Sequence, residues 1–99
     1  MMEFIVTGYD GDDDKAYERR MAVRQQHLDG LKELKDKGFL LHAAGIVNNE
    51  DKLIGSMLLV QFASREEMFE KWLNQEPYYN FNVWKQVKIE MARVPDFLK

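Results

Sequence analysis

The chain has 99 residues, room for one domain over residues 1–99 and too little for two; its 45% apolar and 31% charged residues are the balance of a folded protein, not of a disordered tail. It has no cysteine, which excludes disulfides, thiolate chemistry, iron–sulfur clusters and cysteine-bearing zinc sites, and a net charge of −3 without a Lys/Arg cluster, which argues against a nucleic-acid partner. No apolar run approaches the ~18 residues of a membrane span, and Met1-Met2-Glu3-Phe4 carries no basic leader, so the expected setting is the cytoplasm, with no membrane partner.

Residues Met2 to Tyr9 put apolar side chains on both pleat faces, Phe4 and Val6 on one and Ile5 and Tyr9 on the other, and read as a strand covered on both sides. Asp10-Gly11-Asp12 turns the chain. The acidic run Asp12-Asp13-Asp14 lacks the later glycine and glutamate of a calcium loop and reads as a solvated turn whose last aspartate caps a helix.

That helix is predicted from Asp14 to Lys37, ending at Gly38. At ~100° per residue, Tyr17, Met21, Leu28, Leu31 and Leu34 share one broad side, and Arg24 and His27 fall within it. Basic groups on a packed face need a counter-charge or a polar cavity, because burying them unpaired costs on the order of 2–7 kcal/mol or more. Gly30, inside the helix, marks either a close backbone approach or a tolerated weak point.

Two strands follow, Phe39–Val47 and Leu53–Phe62, joined by the polar turn Asn48-Asn49-Glu50-Asp51. The second is apolar on both faces, the mark of a central strand or one covered by another sheet. Ser64-Arg-Glu-Glu67 matches a capping box, after which Met68, Phe69, Trp72 and Leu73 line one helical face. Pro77 breaks that helix and leaves Glu76 on a loop at an element junction, where sites are commonly built. A last strand is predicted over Val83–Val94, and the tail Phe97-Leu98 is apolar enough to dock on a neighbour.

Strand, helix, strand, strand, helix, strand is a split βαβ order, an α+β fold with a four-stranded antiparallel sheet and both helices on one face. The other face, with Ile5, Met57 and Leu59, is too apolar to leave wet, so a homodimer packed sheet to sheet is expected.

Arg24-x-x-His27-Leu28, the helix stop Gly38-Phe39-Leu40, Ala44-Gly45, and Trp72 with Glu76-Pro77-Tyr78 together resemble the YciI-like (YCII-related) family over nearly the whole chain. The resemblance implies a ferredoxin-like βαββαβ fold assembled as a dimeric α/β barrel, related to muconolactone isomerases. It also implies acid–base work on small organic molecules, dehydrochlorination of a chlorinated aromatic among them, by a histidine and an aspartate. In this chain the histidine is His27, and Glu76 stands in place of the aspartate, while Arg24, Gly45 and Tyr78 are the expected ligand-binding residues; Ile46 replaces the family proline after Ala-Gly.

A histidine held by a carboxylate is the usual general acid/base unit, so the expected function is a small enzyme without cofactor, moving a proton or eliminating a leaving group on a small anionic or aromatic molecule. The alternative is a non-catalytic ligand-binding or interaction module on the same fold. A metal site would require His27, His42 and Glu76 to converge, and no metal is expected.

Overall fold

In the computed structural model, which describes residues 1–99, strands β1 (Met2–Tyr9), β2 (Leu40–Val47), β3 (Leu53–Phe62) and β4 (Gln86–Ala92) pair antiparallel in the order β2-β3-β1-β4. Helices α1 (Ala16–Ala22), α2 (Arg24–Asp36), α3 (Arg65–Lys71) and α4 (Pro77–Asn80) fill the two crossovers. This is the expected ferredoxin-like α+β arrangement. No helix is long and apolar enough to cross a membrane.

The register sets the faces. Phe4 pairs with Val60 and Val6 with Leu58, and these four, with Phe62, form the sheet side of the core. The helical side supplies Leu34, Met68, Trp72, Leu73 and Tyr78, and the segment before β4 adds Val83 and Trp84. Truncating such a buried side chain to alanine costs about 2–5 kcal/mol. On the opposite face Ile5 pairs with Leu59 and Thr7 with Met57, and nothing within the chain covers this face beyond one end. There Glu3 accepts from the Val94 amide at 2.7 Å and from Lys99 Nζ at 3.1 Å, tying down the tail while Phe97 and Leu98 stay exposed.

Three local expectations change. The predicted single helix is two, parted at Val23, whose φ of −121° and ψ of 13° leave the helical region. Ala16 and Arg20, near the middle of the stripe that holds His27 and Leu34, turn inward, while Tyr17 and Met21, expected on the packed side, fall at its edge and are 44% and 42% exposed. The helix start is served not by Asp14 but by Asp13, which accepts from the Lys15 amide at 3.2 Å and grips the Arg19 guanidinium at 2.8 Å. Arg19 holds the Asp13 carboxyl well below the usual range. The last strand begins at Gln86 and not Val83, because the amides of Val83 and Trp84 both bond the Tyr78 carbonyl at 3.0 Å and Trp84 lies over Gly8.

Other local readings hold. Gly38, at φ +84°, ends α2 with its amide bonded to Lys35 O at 2.9 Å and the Phe39 amide to Leu34 O at 3.0 Å, the paired closure that a left-handed residue permits. Ser64 Oγ caps the Glu67 amide at 3.1 Å, and Glu67 reaches back one residue further than expected, to the Ala63 amide at 3.1 Å.

Candidate active site

Glu76 is placed by its neighbours in sequence. Pro77 disfavours helical geometry in the residue before it, so Glu76 is extended (φ −66°, ψ 121°) and stands as the N-cap of α4, its side chain accepting from the Tyr78 amide at 3.2 Å. The same oxygen, Oε1, lies 2.5 Å from His27 Nδ1, and Oε2 accepts from Trp72 Nε1 at 3.3 Å. The extra methylene of glutamate does not keep the carboxylate from the imidazole. Both side chains are buried, and a carboxylate accepting at Nδ1 leaves Nε2 as the ring nitrogen free for another partner.

His27 stacks on Tyr78 with ring centroids 3.9 Å apart and planes 15° from parallel. The Arg20 guanidinium lies 4.4 Å from the centre of the same tyrosine ring. Arg20 is fixed in turn: Nε donates to Asp10 Oδ2 at 2.6 Å and a terminal nitrogen to Ser56 Oγ at 2.6 Å, all three residues being buried. Paired and hydrogen-bonded in this way, Arg20 avoids the cost of an isolated buried charge. The Tyr78 hydroxyl is buried without a hydrogen bond; burial pushes its phenol above the ordinary tyrosine range, with the Arg20 and Arg24 guanidiniums acting the other way.

These groups meet at a cavity of about 170 Å³ between α2 and the β2–β3 half of the sheet, lined by Arg20, Arg24, His27, Ser56 and Tyr78 and walled by Leu28, Leu31, Ala43 and Gly45. Arg24 is half-buried and makes no ion pair. Gly45 faces the cavity side of β2, where a side chain would run into Leu53. His42 is exposed and paired with Leu59 on the other face of the sheet, so His27, His42 and Glu76 do not converge on a metal.

The structure therefore sets His27, Arg24, Gly45 and Tyr78 around one cavity, with Glu76 outside its lining and bonded to His27. Sequence reasoning missed Arg20, Asp10 and Ser56. Arg20 lies four residues before Arg24 and seven before His27, on the same helical stripe, and the argument that picked out those two applies to it. Ser56, a hydroxyl on the helix-facing side of an apolar strand, was the second signal.

Residues 2–93 match the YCII-related domain. The chain belongs to the YCII-related family. No curated protein sequence matches this YCII-related chain. Among solved structures it resembles a 5-chloro-2-hydroxyhydroquinone dehydrochlorinase from Burkholderia phenoliruptrix AC1100, in complex with 2,5-dihydroxybenzoquinone, at a TM-score of 0.78 and 16% identity, with 97% of this chain and 98% of that one covered. A NIPSNAP family protein from Agrobacterium tumefaciens str. C58 aligns at a TM-score of 0.55 and 18% identity over 98% and 96% of the two chains. A dimeric ferredoxin-like protein of unknown function from Jannaschia sp. CCS1 aligns at 0.52 and 11% over 95% and 100%. At such identities the likeness is one of fold.

Proposed function

We propose that this YCII-related protein is a small acid–base enzyme in which His27 moves a proton on a single-ring or similarly small organic molecule. One observation carries the reading. A histidine whose Nδ1 is engaged by a buried carboxylate shares a cavity with an arginine that has no counter-ion and a buried phenol that has no partner. His27 Nε2 takes a proton from the substrate, and the electron pair left behind forms a new double bond as the leaving group departs from the adjacent carbon, or is held as an enolate. Glu76 stabilises the imidazolium, and Arg24 holds the anionic oxygen.

Size narrows the substrate class. At about 170 Å³ the cavity is close to the ~150 Å³ that accommodates benzene in an engineered protein and below the ~300–1,000 Å³ of sites for drug-sized ligands. The dehydrochlorinase it resembles in fold is named for a chlorinated, hydroxylated single ring. Chlorinated hydroxyhydroquinones are thus the first compounds to assay, by chloride release and ring absorbance. His27→Ala should lower turnover by about 10²–10⁴-fold, the usual contribution of a positioned acid/base, with an unchanged far-ultraviolet circular dichroism spectrum. Full turnover in His27→Ala would overturn the acid–base role.

A second reading has its own support. Glu76 is also the cap of α4 and the acceptor for Trp72, a structural role that needs no catalysis. Saturable binding of the same compounds without chloride release would identify a ligand-binding module. For either reading we infer a homodimer, two copies covering each other's open sheet face.

A further inference from the structure

The paired side chains His27 and Glu76 belong to residues that line different cavities. Glu76 does not line the one at His27; it is the most buried lining residue, 2% exposed, of another of about 470 Å³ between α2 and the α3–α4 segment. Apolar walls there come from Leu34, Phe39, Trp72 and Pro77. Its volume falls within the ~300–1,000 Å³ of small-molecule sites.

Two features of this second cavity point to a ligand. The first is Gly30, in the middle of α2 on the cavity wall. Glycine costs about 1 kcal/mol relative to alanine in a helix interior, yet no positive φ requires it and a side chain built there would meet nothing within 4 Å. Neither backbone geometry nor packing accounts for the residue; the space it leaves belongs to the cavity. The second is Glu76 Oε2. While Oε1 is shared by His27 and the Tyr78 amide, Oε2 has only the Trp72 indole at 3.3 Å, beyond the ~2.7–3.2 Å of a normal N–H···O bond. A buried carboxylate oxygen has capacity for a better donor than this.

The charges argue for a neutral occupant. Lys37 and Lys71 at the rim are held in ion pairs with Glu33 and Glu67, at 3.1 and 3.5 Å. Glu76, which accepts from Trp72 and the Tyr78 amide, offers an anion no hydrogen-bond donor.

We propose that this groove is a second small-molecule site, binding an uncharged planar ring that carries an O–H or N–H donor, with the donor bonded to Glu76 Oε2 and the ring against Trp72 and Phe39. The site does not depend on turnover at His27. It is tested by titrating the full chain with phenol, and with anisole, which has the ring but no donor, while following backbone and indole N–H resonances by NMR.

Phenol should give saturable shifts at the Trp72 indole and the Gly30 amide. Anisole should bind there about tenfold or more weakly, the worth of one hydrogen bond to a charged acceptor. Gly30→Leu, which fills the wall with a good helix former, should weaken the phenol response at Trp72 by at least about tenfold and leave any response at Ala43 and Gly45 intact. Equal binding of phenol and anisole, shifts confined to Ala43 and Gly45, or an unaltered titration in Gly30→Leu would overturn the proposal. Should Gly30→Leu fail to fold, the phenol–anisole comparison in the unaltered chain decides it. Gly30→Leu also separates the two sites, since Gly30 does not line the cavity at His27 and the variant should leave turnover there unchanged.

Discussion

Tyr78 is the residue that the site closes around: its amide bonds Glu76, its carbonyl takes two amides, its ring carries His27 and Arg20, and its hydroxyl is left without a partner. Burial raises its phenol above the ordinary range near 10, so the folded chain keeps this proton at a pH where the unfolded chain has lost it. The unfolded state then binds fewer protons, and stability falls as pH rises above about 10 until the folded phenol also ionises. Tyr78→Phe should remove this part of the alkaline decline, measured by urea midpoints between neutral and alkaline pH, and remove the latest phase from an ultraviolet tyrosine titration. Replacing Glu76 tests a different role. Glu76→Gln can still accept from Nδ1 but cannot balance an imidazolium charge, so it should lower turnover about 10²-fold or more while costing up to about 2 kcal/mol through the weakened helix cap, read by activity and denaturation side by side. Activity unchanged in Glu76→Gln would mean that the carboxylate serves the cap alone.

At the scale of elements, the stop at Gly38 and the cap at Ser64 were the most legible features, because they depend on residues within one turn of each other. Gly38 ends α2 in the left-handed region, and Gly38→Ala should destabilise the fold by about 1–2 kcal/mol, visible as a lower denaturation midpoint with an unchanged slope. The break at Val23 was not legible. A run of good helix formers on both sides of one β-branched residue reads as continuous, and what parts it is distant: α1 is held through Arg20 to Asp10 on the turn after β1 and to Ser56 on β3. For the same reason the start of β4 could not be read from Val83 and Trp84, whose apolar character serves the core from an irregular segment and not from a strand.

At the scale of the whole molecule, the sheet has one face buried under helices and one left open, with Ile5, Met57 and Leu59 only half-buried at its centre. Exposed apolar faces commonly mark sites of association, and the proposed homodimer would use this one. Two copies packed through it should bury more than ~1,200 Å² in total, the lower bound of a standard specific interface. Light scattering at micromolar concentration should report a dimer, and Leu59→Glu, which places a charge at the centre of the face, should shift it to monomer. A wild-type chain that scatters as a monomer would leave the face without its proposed partner.

Element order, the two-faced strands and the phase that sets Arg24 and His27 on one stripe were determined by the sequence alone, because periodicity and turn chemistry act over a few residues. The family resemblance added Glu76 as the carboxylate. What only the tertiary structure decided was which distant side chains meet. Arg20 finds Asp10 and Ser56 across the crossover, His27 lies 2.5 Å from Glu76, 49 residues further on, and the two residues line different cavities. No local pattern carries these distances, since they follow from how helices already formed settle on the sheet. Burial then requires each charge so placed to find a partner, and that requirement gives the site its geometry.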